Sequence, residues 1–379
     1  MARGEGCRLR DIDGHDYVDL CGEYTAGLFG HTPPRLLDVL HATLDRGWNL
    51  AAVGEAEVRL AELLCDRFPS IERVRFTNSG TEANLLALTA ARAHAGRTHL
   101  LAFRGGYHGG VLTYPAAGPS AVTAPFPAIL ADYNDIAGTL ALLRAHAGDL
   151  AAVIVEPMLG GGGCIPARAD FLATLRAATE AAGIVLIFDE VMTSRSSAGG
   201  QQARLGITPD MTTLGKYVAG GMSFGAFGGR ADIMDQFAAR LPHAGTFNNN
   251  VLSMHAGAVA MAELFPADSA EALFQRGEAL RARLGAVCAA AGAAMQWTGL
   301  GSLLMVHFRD GALERPYAPT PAEEAARELF FFDMMEAGIY LARRGMVALS
   351  LPVGEAELAR FAGAVAEFAL VRRPVLPAG

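Results

Sequence analysis

Two unbroken apolar runs constrain the fold most: AAVIVEP at residues 151–157 and GIVLIFDEV at 183–191. A strand with one wet face alternates apolar and polar residues, whereas these runs stay apolar at consecutive positions, which predicts strands covered on both faces. Shorter strand-like runs stand at VRFTN (74–78), HLLAF (99–103) and MTTLG (211–215). Helix-like stretches fall between several of them, including TEANLLALTAARAHA (81–95) and ADFLATLRAATEAAG (169–183). Strand–helix alternation of this kind predicts an α/β fold with a mainly parallel sheet between helices. Sheets so built bind ligands at the carboxyl ends of their strands.

The flanks follow different patterns. CRLRDIDGHDYVDL reads as a hairpin around Asp13-Gly14, and residues 35–66 read as helical. Beyond about residue 260 come a long helix near 269–291, strands at 301–308 and 346–351, and helices near 321–337 and 354–371. The expected organisation is an N-terminal hairpin segment at 1–34, a large domain at 35–260 and a smaller α+β domain at 261–379. The net charge of −8 and pI of 5.7 argue against nucleic acid or an anionic membrane surface as the main partner. The five cysteines are odd in number and contain no C-x-x-C pair, which favours reduced thiols over disulfides or a zinc site. No apolar run reaches membrane-spanning length, and MARGEGCRLRD has no signal-peptide-like apolar stretch, so a cytoplasmic location is expected.

The candidate chemistry begins with Lys216. It is the single lysine in the chain, and arginine supplies the other 30 of the 31 Lys and Arg residues. A guanidinium stays charged and is a poor nucleophile, whereas a lysine amine can lose its proton and form a Schiff base. Asp189 closes the apolar run GIVLIFD, 27 residues before that lysine. A carboxylate at a strand end can keep a pyridinium nitrogen protonated, as an aldehyde cofactor acting as an electron sink requires; it can equally be an ordinary strand-end carboxylate, such as an N-cap. In FTNSGTEANLLAL, Ser79 and Glu82 stand at capping-box spacing. The helix start there suits a phosphate, with Gly80 letting the backbone approach and Thr81 adding a hydroxyl; a plain cap has the same pattern. Tyr107 or His108 in FRGGYHGG could stack on a flat ring or tuck into the core, and Thr246 in HAGTFNNN could donate to a phosphate. No G-x-G-x-x-G stands between a first strand and its helix, so a dinucleotide fold fits poorly.

Taken together, NSGTEA, GGYHGG, VEP, DEVMTSR, GKYVAGGMSFGAFGGR and GTFNNN resemble the class III, fold-type I, pyridoxal-phosphate aminotransferases. The similar branch is that of glutamate-1-semialdehyde aminomutase, and within it the β-amino-acid (β-phenylalanine) aminotransferases. The resemblance implies a seven-stranded, mainly parallel sheet, a smaller C-terminal domain, and pyridoxal 5′-phosphate as cofactor. It implies that Lys216 forms the Schiff base, that Asp189 pairs with the ring nitrogen, and that Tyr107 and Val191 cover the two ring faces. Ser79, Gly80 and Thr81 would hold the phosphate, with Thr246 reaching it from the neighbouring subunit of a homodimer. Arg344 would bind a substrate carboxylate, a task that suits a planar fork; for Arg343-Arg344 the other reading is a solvated basic pair.

The implied reaction moves an amino group from a β-amino acid to a 2-oxo acid such as 2-oxoglutarate. The alternatives are an aminomutase or other isomerase of the same fold, and a cofactor-binding protein without turnover. Similar proteins carry a longer N-terminal arm over the active site, with another carboxylate-binding arginine. The matching stretch here starts near residue 3, so a shortened arm is expected, and neither Arg3 nor Arg8 takes on the missing role.

Overall fold

The computed structural model describes residues 1–116 and 120–377; the last two positions of the 261–379 segment lie outside it. The strand Leu150–Val155 is buried at all six positions, and Val185–Asp189 at all five. Each therefore needs a cover on both faces. The helix Gly80–Ala95 packs on one face with Ile154, Val185 and Ile187. Phe171, Leu172 and Leu175 of the helix Ala169–Ala181 meet Val153, Val155, Leu186 and Phe188 on the other.

Seven strands form the sheet, in the order 73–77, 225–229, 211–215, 185–189, 150–155, 99–103, 128–131. Gly225–Gly229 runs antiparallel to both of its neighbours, and the other pairings are parallel. The sequence reading omits this strand because GAFGG has low strand propensity. Its glycines are there for closeness: a Cβ on Gly225 would lie 2.1 Å from the Ser79 carbonyl oxygen. The edge strand Ala128–Ala131 is the other sheet member absent from that reading. Register fixes what points where. Asp189 pairs with Thr213 in the neighbouring strand, and the two-residue side-chain period puts Asp189 on the same face as Ile187, toward the helix Gly80–Ala95.

The helical stretch 35–66 is two helices, Pro34–Arg46 and Glu55–Arg67. In the C-terminal region, Gln296–Leu300, Leu303–His307 and Met346–Ala348 make an antiparallel sheet. It is accompanied by the helices Ala267–Ala291, Pro321–Glu336 and Glu355–Arg372. The expected hairpin pairs Arg8–Arg10 with Asp16–Asp19, and a third strand, Arg3–Glu5, extends it. Asp16–Asp19 also pairs in parallel with Ile339–Tyr340, so the N-terminal segment shares a sheet with C-terminal residues. No helix among the described residues is long and apolar enough to cross a membrane.

Candidate active site

At the carboxyl ends of the central strands lies a cavity of about 550 Å³. Ser79, Gly80, Thr81, Tyr107, Asp189, Val191, Lys216 and Arg344 all line it. Eight of the nine residues singled out from sequence are thus brought together by five separate chain segments. Thr246 is not among the lining residues; it sits on an exposed loop. That loop is nevertheless tied to the cavity rim, because Asn248 Oδ1 accepts from Asn78 Nδ2 at 2.9 Å.

The strand Arg73–Thr77 delivers the chain to Ser79, whose Oγ accepts the Glu82 N–H at 3.2 Å. The capping box is only half made: Glu82 Oε2 reaches back to the Asn78 N–H at 2.8 Å rather than to Ser79. The first N–H groups of the helix, at Gly80 and Thr81, have no partner one turn earlier and open on the cavity. A Cβ on Gly80 would lie 2.9 Å from a Val191 methyl, so only glycine keeps Val191 this close to the helix start.

Asp189 is 5% exposed and fully engaged on one oxygen. Its Oδ2 takes hydrogen bonds from Asn84 Nδ2 and the His108 ring, both at 2.8 Å, and its Oδ1 takes the Val191 N–H at 3.0 Å. Thr213 holds Asn84 from behind by donating to its Oδ1 at 2.7 Å. His108 therefore serves Asp189 rather than stacking. Burial opposes charge on its ring, but Asp189 and then Glu156 outweigh that and raise its pKa. Of the two, Tyr107, half exposed on the cavity wall, is the one free to stack.

Lys216 follows the strand Met211–Gly215 directly and has a left-handed backbone (φ 55°), a strained state for a residue with a side chain. Its Nζ donates to the Tyr24 carbonyl at 2.7 Å. Burial pushes its pKa down to about 8, Arg344 acts in the same direction, and Asp189 and Glu156 oppose them. Glu156, of the VEP stretch, accepts from the Tyr107 and Gly160 N–H groups, each at 2.9 Å. Burial pushes its pKa up to about 7, with His108 acting against and Asp189 with the shift.

The basic pair divides. Arg343 is solvated and bound to Glu328. Arg344 lines the cavity with its guanidinium 5.3 Å from the Tyr24 ring centroid, and no carboxylate among the described residues pairs with it. Arg3 and Arg8 are engaged with Glu5 and Glu357 instead. Sequence reasoning missed Tyr24, Asn84, Met192 and Met222 as cavity residues; none sits in a pattern that separates it from a core or loop residue.

Fold and cavity together define a class, the fold-type I enzymes that use pyridoxal 5′-phosphate. A free helix start, a buried carboxylate with one lightly engaged oxygen and an amine of lowered pKa fit its phosphate, ring nitrogen and aldehyde. The aminotransferase class-III family model matches residues 1–353, and the chain belongs to that family. It is 50% identical over 371 residues to the β-phenylalanine transaminase of Variovorax paradoxus, covering 97% of this chain and 85% of that one. It is 37% identical over 357 residues to the glutamate-1-semialdehyde 2,1-aminomutase of Rhodopirellula baltica, covering 90% and 81%. The crystal structure of the β-phenylalanine aminotransferase from Variovorax paradoxus matches with a TM-score of 0.97 at 49% identity, over 99% of this chain and 88% of that one. Other solved neighbours hold pyridoxal phosphate or its amine form.

Proposed function

We propose that this aminotransferase takes the amino group of a β-amino acid of the β-phenylalanine type and passes it to a 2-oxo acid such as 2-oxoglutarate. The observation that carries the reading is Arg344. A guanidinium with no carboxylate partner among the described residues, on the wall of the cavity that holds Lys216, is a receptor for an acid group on a substrate. The 50% identity to a β-phenylalanine transaminase supports the same donor class.

Bound pyridoxal phosphate supplies the aldehyde that takes the amino group and the ring that delocalises the electrons left by deprotonation. The chain's own residues do the rest. Ser79, Gly80 and Thr81 offer the helix-start N–H groups and hydroxyls to the phosphate. Asp189, held by Asn84 and His108, keeps an oxygen toward the ring nitrogen. Tyr107 and Val191, which both line the cavity, would hold the ring between them. Lys216 Nζ would be the amine offered to the aldehyde and, once free, would carry the proton from the amine-bearing carbon of the substrate to the carbon that had borne the aldehyde. A pKa lowered to about 8 suits that exchange, since it brings the neutral amine much closer to physiological pH than an ordinary lysine allows. Thr246, exposed on its loop, is assigned to the phosphate of a second copy, so the working unit is a homodimer.

The test is turnover of 3-amino-3-phenylpropanoate with 2-oxoglutarate. Glutamate formation that requires the acceptor is the expected result. Isomerisation without an acceptor would move the protein to the aminomutases, and no turnover across a donor panel would leave only cofactor binding.

A further inference from the structure

Arg195 ends the DEVMTSR run, yet it does not line the cavity. It is 2% exposed, and no carboxylate among the described residues pairs with it. Its guanidinium donates through Nη1 to the Thr25 carbonyl at 3.5 Å and through Nη2 to the Leu349 carbonyl, while Nε has no partner. Burial pushes its pKa down to about 10. A buried, unneutralised guanidinium is a costly feature, and its two acceptors show where that cost is put to use.

Both acceptors belong to segments that carry cavity residues. Thr25 ends a left-handed run: Gly22 (φ 52°), Glu23 (46°), Tyr24 (50°) and Thr25 (86°). Three of the four have side chains, so the turn is strained and needs outside support. At its start, Asp19 Oδ1 accepts the Cys21 and Gly22 N–H groups at 2.9 and 3.0 Å. At its end stands Arg195. From the middle, Tyr24 gives its carbonyl to Lys216 and its ring to Arg344. The second acceptor, Leu349, lies five residues beyond Arg344, just past the strand Met346–Ala348. That strand is already joined to the start of the turn, since the Ala348 N–H donates to the Leu20 carbonyl at 2.7 Å.

We propose that Arg195 is a positioning residue for substrate carboxylate recognition: it locks the turn Gly22–Thr25 to the segment 344–349, so that the Tyr24 ring holds the Arg344 guanidinium toward the cavity. The inference rests on Arg344 being the carboxylate receptor. A lysine at 195 keeps the charge but reaches one carbonyl well rather than two, because the fork is lost.

Holoenzymes of wild type, Arg195→Met, Arg195→Lys, Arg344→Ala and the double variant Arg195→Met/Arg344→Ala are titrated with 3-phenylpropanoate. This probe has the acid group and no amine, so it binds without reacting, and the cofactor absorbance reports binding. Arg344→Ala weakens the probe by about tenfold or more, the loss of a charge-assisted contact. Arg195→Met does so by a similar factor, Arg195→Lys by less, and all keep wild-type cofactor content. The double variant binds no worse than Arg344→Ala alone, because both changes remove one function. Wild-type affinity in Arg195→Met beside a weakened Arg344→Ala, or losses that multiply in the double variant, overturn the inference and spare the reading of Arg344. Wild-type affinity in Arg344→Ala overturns both. Should Arg195→Met fail to fold, Arg195→Lys with Arg344→Ala closes the same cycle with the same outcomes.

Discussion

The two walls of the cavity are made in different ways. The wall with Ser79–Thr81, Asp189 and Lys216 sits on strand ends of a doubly covered sheet. Each residue is delivered within four positions of the end of a strand of that sheet. The wall with Tyr24 and Arg344 lies outside the seven-stranded sheet. It joins a left-handed turn near the N-terminus to a loop more than 300 residues later, and its side-chain supports, Asp19 and one buried arginine, add to a backbone bond from Ala348 to Leu20. A scaffold of the first kind holds one geometry firmly. The second kind can change what it recognises with little effect on the sheet.

The sharpest way to break this contrast is at Lys216. Lys216→Ala should leave a folded protein that lacks the visible cofactor band and turns over at less than about a thousandth of the wild-type rate, since it removes both amine and proton carrier. A retained band would show that another group holds the cofactor. Next, one glycine on each wall compares them directly. Gly225→Ala puts a Cβ 2.1 Å from the Ser79 carbonyl oxygen and 2.4 Å from the Thr77 hydroxyl, and should cost about 1–3 kcal/mol with weaker cofactor retention. Gly22→Ala meets only the Ala348 carbonyl, at 3.1 Å, in a left-handed backbone, and should cost about 1 kcal/mol. Its effect should fall on the KM of carboxylate donors, with cofactor content unchanged. Equal cofactor loss in both variants would mean that the walls are not independent.

The smallest effect is one of pH. In cofactor-free protein, acetylation of Lys216 should rise with pH about a midpoint near 8, because burial lowers its pKa to that value. Lys216→Ala reports the α-amine background. The unfolded chain holds this proton until about pH 10.4, so between these values the unfolded state binds more protons and stability rises with pH. A labelling midpoint above 10 would show an amine open to solvent.

The difference between the walls also decides what could be read from sequence. Asp189 stands out because it ends an apolar run that reads as a covered strand, Lys216 because it is the single lysine, and the helix start because of its capping-box spacing. Glu156 follows such a run too, but a strand-end carboxylate alone does not disclose that it faces His108 and Asp189. Gly225–Gly229 was hidden because its residues are chosen for close approach, which removes the side chains that mark a strand. Arg344 was legible only by family likeness, since its neighbour Arg343 has the same local sequence and a different fate. Tyr24 could not be found at all: its ring stands in none of the motifs, and its carbonyl and the sign of three φ angles are not written in residue type.

The solitary lysine has a use beyond chemistry. A protease that cuts only after lysine has one peptide bond to attack in the whole chain, that between residues 216 and 217, and Tyr217 and Val218 beyond it are fully buried. Cleavage into two fragments would therefore count openings of the central sheet one molecule at a time, undisturbed by fraying at the surface.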